Sequence, residues 1–276
     1  MYCFVNGLKL EVTKATLNIN DLAILRGYGI FDFFRTVDNK PLFLEDHLDR
    51  FYNSSKIAHL PISFSKSEVI EQVNSLLTAN KLPISGIRMV LTGGYSEDGY
   101  SVGKPNLIIT QGPITFPAEE LYTNGVKLIT HNFLRELPEV KTVNYMTGIW
   151  LKSKIKEEKA FDALYVNNGQ VLELTRSNIF IITKEGKIIT PQKNILKGVT
   201  RKKVLEMAAS HYDIEEREIS IDELLQAKEA FLTGTTKKVL PITAVDNQKI
   251  GDGKPGPISR QLLEMFNQFE KEYMDK

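Results

Sequence analysis

The chain has 276 residues, of which 42% are hydrophobic and 25% are charged, so it can build a packed core and is not predicted to be disordered. Its 35 basic and 34 acidic side chains give a net charge of +1, which argues against a nucleic-acid or membrane-surface partner. No run of about 18 apolar residues is present to span a membrane. The N-terminal segment lacks the pattern of a secretory signal, and with a single cysteine this predicts a cytoplasmic protein.

The residues that bind metals most often are few and scattered. Cys3 is the only cysteine, and the four histidines form neither a His-x-His pair nor a His-Glu-x-x-His motif. The sequence therefore predicts no metal site.

The N-terminal part alternates strand signals with helical periodicity. Asn6-Gly7 predicts the turn of a hairpin, and Asp38-Asn39 predicts a second one. The predicted strands cover residues 2–5, 8–12, 30–37, 41–44, 87–92 and 106–110, and the predicted helices cover residues 45–57 and 66–79. Together they define a small α+β domain over residues 1–113.

Proline and acidic residues interrupt the periodicity after residue 112, and we expect a linker at residues 114–120. A larger domain is predicted over residues 121–276. Its predicted strands are 125–130, 163–166, 179–183, 187–190, 214–219, 230–232 and 239–242, and its predicted helices are 146–159, 200–210, 222–227 and 258–273. Because strands and helices do not alternate regularly, the sequence favours an α+β fold with mixed sheets over a doubly wound one.

One segment has the features of a phosphate site. Leu196 to Arg201 contains a glycine directly before a predicted helix, where Val199 and Thr200 would present free backbone N–H groups. Thr235 lies in a second hydroxyl-rich loop that could add a donor. Considered alone, an ordinary helix cap and a polar turn explain these segments equally simply.

Two ionisable residues are candidates for chemistry. Lys141 lies among apolar neighbours, Val140 and Val143, just before a predicted helix, where desolvation would leave an amine able to form a Schiff base. Glu173 ends a short apolar strand and could be the partner of a buried cation. The ordinary alternatives are a lysine that extends into solvent at a helix start and a carboxylate that caps a loop.

The order of these segments resembles the class IV pyridoxal-phosphate-dependent aminotransferases, which share fold type IV. The resemblance covers nearly the whole chain and rests on five ordered segments, which are residues 45–50, 141–144, 173–178, 196–201 and Thr235 with Pro241-Ile242. It implies a two-domain architecture with the cofactor between the domains, a homodimer, pyridoxal 5′-phosphate as cofactor, and amino acids and 2-oxo acids as substrates.

The resemblance also implies residue roles. Lys141, in the larger domain, would form the Schiff base with the cofactor, and Glu173 would pair with its pyridine nitrogen. The remaining cofactor contacts would come from Arg50 as phosphate clamp, Val199 and Thr200 through backbone N–H groups, the Thr235 hydroxyl, Leu196 against the ring, and Tyr145 at the ring hydroxyl.

The branch of the family depends on how the substrate carboxylate is bound. Asn144 follows Lys141 by three residues, as in the D-amino-acid and lyase branches, but Phe31 replaces a tyrosine of the usual D-amino-acid carboxylate site. Arg176 and Arg26 could together take over that role. The alternatives are that Arg26 pairs with a structural carboxylate and that Arg176 faces solvent. We expect a D-amino-acid transaminase, with a branched-chain L-amino-acid transaminase or an aminodeoxychorismate lyase as alternatives.

Overall fold

The computed structural model describes residues 1–275, which fold as two compact units. The first unit contains residues 1–115 together with residues 140–144, and the second contains residues 116–139 and 145–275. We describe each unit by itself.

The first unit is an antiparallel sheet covered by two long helices. The strand order is β2-β1-β6-β5-β3-β4. Its strands are β1 (Tyr2–Val5), β2 (Leu8–Glu11), β3 (Gly29–Val37), β4 (Lys40–Pro41), β5 (Ser85–Thr92) and β6 (Leu107–Gly112), and its helices are α1 (Leu22–Arg26), α2 (Leu44–Ile57) and α3 (Lys66–Asn80).

Local sequence explains where these elements begin and end. Asn6 and Gly7 both have positive φ, as a two-residue hairpin turn requires, and so do Asp38 and Asn39. Ser65 starts α3 with a capping box, in which its hydroxyl accepts from the N–H of Glu68. The core between the helices and the sheet is apolar and includes Phe34, Leu48, Phe51, Val73, Leu76, Ile87 and Met89.

The second unit is built on a mixed nine-stranded sheet, as the sequence predicted. The main strand order is β12-β11-β10-β13-β14-β7-β8-β9, with parallel pairs β7–β8, β7–β14 and β11–β12. Its strands are β7 (Val126–Asn132), β8 (Asp162–Asn167), β9 (Gln170–Leu174), β10 (Asn178–Ile182), β11 (Ile188–Thr190), β12 (Ile214–Glu216), β13 (Glu229–Gly234), β14 (Lys238–Val245) and β15 (Gln248–Lys249). Its helices are α4 (Glu119–Asn124), α5 (Met146–Trp150), α6 (Lys152–Glu157), α7 (Val199–Ala208), α8 (Ile221–Gln226) and α9 (Pro257–Asp275).

Several short elements differ from the sequence-based expectation. The predicted helix 146–159 is two helices that meet at Leu151, and the predicted strand 214–219 ends at Glu216. Helix α4 begins at Glu119, inside the predicted linker. Helix α1 was not predicted, because it has only five residues; the Asp21 side chain caps its start and Gly27, at φ 65°, ends it.

The segment that contains Lys141 belongs to the first unit, although the residues on both sides of it belong to the second. The N–H of Phe31 donates to the carbonyl of Lys141 at 2.8 Å, and the N–H of Val143 donates to the carbonyl of Gly29 at 2.9 Å. These bonds hold the lysine at the start of β3. The sequence predicted that Lys141 belongs to a larger domain at residues 121–276. In the structure, residues 140–144 belong instead to the first unit.

Within residues 1–275, no helix is both long enough and apolar enough to cross a membrane.

Candidate active site

Arg50 is held by a buried carboxylate in the first unit. Its Nε and Nη2 atoms donate to the two oxygens of Asp32, each at 2.8 Å. Burial alone would raise the pKa of Asp32, but the positive charge of Arg50 and the contact with His47 outweigh it and hold the pKa far below its usual range. Asp32 is therefore ionised and orients the guanidinium. Both bonds to Asp32 use Nε and Nη2, so the Nη1 atom takes no part in them.

His47 completes this cluster. Its Nδ1 lies 2.7 Å from Asp32 Oδ1, and its ring is buried. Burial lowers the pKa of His47, and the positive charges of Arg50 and Lys141 lower it further. A neutral ring that donates to Asp32 fits this environment. Sequence reasoning missed both Asp32 and His47, although His47 and Arg50 are one helical turn apart and share a face of α2.

Lys141 and Phe31 lie together in the same unit. The Lys141 Nζ is 4.7 Å from the centroid of the Phe31 ring, and both side chains are half-buried. This contact places the amine over the face of an aromatic ring, where a cation is favoured. Phe31 has no polar group, so it cannot donate a hydrogen bond to a substrate carboxylate.

Glu173, in the second unit, is fixed from two directions. Its Oε1 accepts from Arg135 through Nε at 2.8 Å and lies 2.7 Å from Nη2, and its Oε2 accepts from the N–H of Leu196 at 3.0 Å. The residue is 6% exposed. Sequence reasoning predicted a role for Glu173 and Leu196 but missed Arg135, which precedes Glu173 by 38 residues.

Three side chains form a row across the sheet beside Leu196. Asn178 pairs with Glu173 on one neighbouring strand and with Thr233 on the other, so all three point to one face. Asn178 donates to the carbonyl of Leu196 at 2.7 Å. The Thr233 hydroxyl is buried and has no hydrogen-bond partner within residues 1–275. A buried donor without a partner indicates a group that binds there.

The start of α7 lies directly beyond Leu196. Gly198 precedes Val199 and Thr200 as the capping residue, and no side chain of the described residues caps the helix. A side chain at Gly198 would clash with the Asn178 amide, so only glycine fits. Uncapped N–H groups and the helix dipole favour an anion at this point. Thr235 is half-buried in the turn between β13 and β14, two residues beyond Thr233.

The loop after Glu173 is anchored on both sides of Arg176. The Thr175 hydroxyl donates to Asp162 at 2.6 Å, and Lys237 Nζ donates to the Ser177 hydroxyl at 2.8 Å. Arg176 between them is exposed and makes no ion pair with any residue that the structure describes. Its exposure fits a solvent-facing arginine as well as one that awaits an anionic ligand.

Lys237 was not identified from the sequence. It is almost completely buried, and among the described residues its Nζ donates only to Ser177. Burial lowers the pKa of Lys237 from its ordinary 10.5 to about 8; the charge of Asp162 opposes this shift and that of Arg176 adds to it. The side chain therefore carries a destabilised positive charge next to the loop.

Three further residues are Arg26, Tyr145 and Tyr165. Arg26 ends α1 and is exposed; its guanidinium donates to the carbonyl of Leu25 and pairs with no carboxylate in residues 1–275, so the structure does not support a structural ion pair there. Tyr145 is half-buried at the start of α5. Tyr165 is buried, and burial together with the negative charges of Asp162 and Glu173 raises its pKa to about 12.

Comparison with known proteins identifies the family of the chain. The model of the family described as amino-transferase class IV matches residues 29–245. D-alanine aminotransferase of Bacillus licheniformis is 32% identical over 269 residues, covering 95% of this chain and 94% of the relative, and that of Staphylococcus haemolyticus is 29% identical, covering 96% of each chain. The crystal structure of a T.th. branched-chain amino acid aminotransferase with pyridoxamine 5′-phosphate superimposes with a TM-score of 0.89 at 25% identity, over 98% of this chain and 93% of that chain.

These matches define the protein as an enzyme of fold type IV with mixed helices and sheets. The chain belongs to the class IV aminotransferase family, as its ordered motifs predicted. Relatives named for D-alanine and for branched-chain substrates are both among the matches, so the family alone leaves the substrate open.

Proposed function

We propose that this enzyme is a pyridoxal-phosphate-dependent transaminase that moves an amino group between a D-amino acid and a 2-oxo acid. When bound, the cofactor supplies an aldehyde that condenses with amines and a ring that accepts the electron pair released at the substrate Cα. Lys141 would hold the cofactor through its side-chain amine, and the same amine would hold and release the proton of the substrate Cα.

The chain's own residues fit the cofactor's phosphate. The uncapped start of α7 at Val199 and Thr200 offers N–H donors, and the Thr233 hydroxyl is a buried donor without a partner in residues 1–275. Arg50 is a further donor, with a guanidinium that Asp32 already fixes. The donors of the second unit suit a dianion, because each can donate a hydrogen bond, and the family resemblance adds Arg50 from the first unit. Thr235 adds a hydroxyl close in sequence to Thr233.

Other residues would bind and orient the ring. Glu173, kept in place by two neighbours, would hold the proton on the pyridine nitrogen. Leu196 is half-buried next to it and offers an apolar side chain to the ring face. Tyr145, at the start of α5, would donate to the ring hydroxyl.

The preference for a D-amino acid rests on the relatives named D-alanine aminotransferase, and the observation that supports a carboxylate-binding site is the state of Arg176. It is exposed, lacks an ion-pair partner within residues 1–275, and follows Glu173 by three residues in a loop anchored at Thr175 and Ser177. A substrate carboxylate needs a charged donor in a site that excludes water. Phe31 cannot supply one, so Arg176 is the proposed partner, with Arg26 as a second donor.

The test is a panel of D- and L-amino acids with 2-oxoglutarate, followed by half-reactions. A D-specific transaminase bleaches its cofactor band with D-alanine or D-glutamate and turns over when the oxo acid is added. Faster bleaching by L-leucine would support the branched-chain alternative. Cleavage of aminodeoxychorismate without an acceptor would support the lyase.

We further propose that the enzyme is a homodimer. Helix α5 exposes Met146, Ile149 and Trp150, whose side chains are 78%, 65% and 69% exposed. Their spacing of three and four residues places them on one apolar face, which a monomer would leave in water. Trp150→Lys should convert a dimer into a monomer in sedimentation experiments. Ile84→Lys, at an isolated exposed isoleucine, should leave the assembly unchanged.

A further inference from the structure

Arg135 makes an unusual number of hydrogen bonds for a side chain that no sequence motif marks. Its Nε and Nη2 both contact Glu173 Oε1, while Nη1 donates to the carbonyl of Leu137 and Nη2 also donates to the carbonyl of Pro138. One guanidinium therefore binds a carboxylate and closes the turn at residues 135–138. In sequence, this turn immediately precedes the segment at residues 140–144 that carries Lys141.

These contacts determine the direction of the Glu173 carboxylate. Two guanidinium contacts occupy the side of Oε1, and the backbone N–H of Leu196 determines the position of Oε2 at 3.0 Å. A charge-assisted fork is both stronger and more directional than a neutral hydrogen bond. Arg135 is 19% exposed and Glu173 is 8% exposed at their side chains, so water screens this pair little.

We infer that Arg135 is a positioning residue, which keeps the Glu173 carboxylate aimed so that it holds a proton on the ring nitrogen of the cofactor. This inference rests on the proposed binding of pyridoxal phosphate. Without Arg135, the buried Glu173 carboxylate would lose its positive partner and the two contacts that fix its direction. The ring nitrogen would then lose its positive charge.

The test compares Arg135→Gln and Arg135→Lys with the wild type, using titration of the apo protein with pyridoxal phosphate. Both variants should bind pyridoxal phosphate about 10- to 100-fold more weakly than the wild type. Glutamine lacks both the charge and the fork of the guanidinium, and lysine keeps the charge but lacks the fork. The second readout is the pH at which the absorption band of the loaded protein changes. Loss of the ring charge should move that midpoint upward in Arg135→Gln, which a merely structural defect would not do.

Arg217→Gln is the matched control, since Arg217 forms a similar fork with Glu223 in the same unit, with distances of 2.9 and 2.6 Å. It should leave the affinity and the pH midpoint at wild-type values. If Arg135→Gln does not fold, Arg135→Lys and rescue of Arg135→Ala by added guanidinium ion decide the question. Restored cofactor affinity supports the inference.

Two outcomes would overturn it. If the wild type binds pyridoxal phosphate and both Arg135 variants keep its affinity and its pH midpoint, the inference is wrong while the proposed function stands. If the wild type does not bind the cofactor at all, the proposed function fails and the inference fails with it.

Discussion

Glu173 and Asn178 bind the backbone N–H and the backbone carbonyl of the same residue, Leu196. Glu173 accepts from the N–H of Leu196 at 3.0 Å, and Asn178 donates to its carbonyl at 2.7 Å. The two side chains are cross-strand partners on β9 and β10, so the sheet register itself determines where the loop before α7 lies. The predicted phosphate site at α7 and the predicted partner of the pyridine nitrogen are therefore parts of one hydrogen-bonded structure.

Replacing Lys141 with alanine should abolish transamination and remove the visible absorption band of the bound cofactor. The reaction needs an amine nucleophile at this position, and alanine has none. Spectra of the purified variant and single-turnover assays measure both effects. Lys152→Ala, at an exposed lysine of α6, is the control and should keep both. Turnover near the wild-type rate in Lys141→Ala would contradict the assignment.

Arg50→Ala should weaken cofactor binding more than it slows turnover in saturating cofactor. Loss of a hydrogen bond to a charged group costs about 1.5–3 kcal/mol, which corresponds to a roughly 10- to 150-fold higher dissociation constant. Asp32→Asn should have a smaller effect in the same direction, because it loosens the guanidinium without removing it. Titration of the apo protein measures both. Lys66→Ala, which removes a surface ion pair with Asp49, is the control and should not change the dissociation constant of the cofactor. An unchanged dissociation constant in Arg50→Ala would show that Arg50 does not bind the phosphate.

Arg176→Ala should raise the KM for D-alanine or D-glutamate about tenfold or more while the spectrum of the bound cofactor stays intact. The loss acts on the substrate carboxylate and leaves the cofactor contacts in place. Arg26→Ala should show a weaker form of the same defect. Half-reaction kinetics with both enantiomers separate binding from chemistry. Arg260→Ala, at an exposed arginine of α9, is the matched control and should keep the wild-type KM. An unaltered KM in Arg176→Ala would show that another group binds the substrate carboxylate.

Lys237→Met should change how stability depends on pH. The pKa of Lys237 is about 8 in the folded protein and 10.5 ordinarily, so between these values the unfolded chain binds more protons. The contribution of Lys237 to the free energy of unfolding must then increase as the pH rises from 8 to 10.5. Below pH 8, burial of the charged amine lowers the free energy of unfolding by up to about 3 kcal/mol. Denaturant unfolding at several pH values should show a shallower rise in Lys237→Met than in the wild type. Parallel curves would show that the amine is not destabilised by burial.

Features that depend on local order could be predicted from the sequence. Asn6-Gly7 marked a turn because its residues tolerate positive φ, and Gly198 followed by Val199 and Thr200 marked a helix start because free N–H groups occur there. The α+β class followed from the periodicities, and the family followed from the order of five motifs. None of these inferences required knowledge of a contact between distant residues.

Tertiary structure alone decided which side chains meet. Arg135 and Glu173 are 38 residues apart, and Asp32 and Arg50 are 18 apart on different elements, so no periodicity links either pair. Thr233 lies beside Asn178, on the same face of the sheet as Glu173, because of the strand register. A slip of one residue in that register would turn its side chain to the opposite face. The packed surroundings then decided the charges, because the pKa values of Asp32, His47 and Lys237 depend on burial and on the charged groups packed around them.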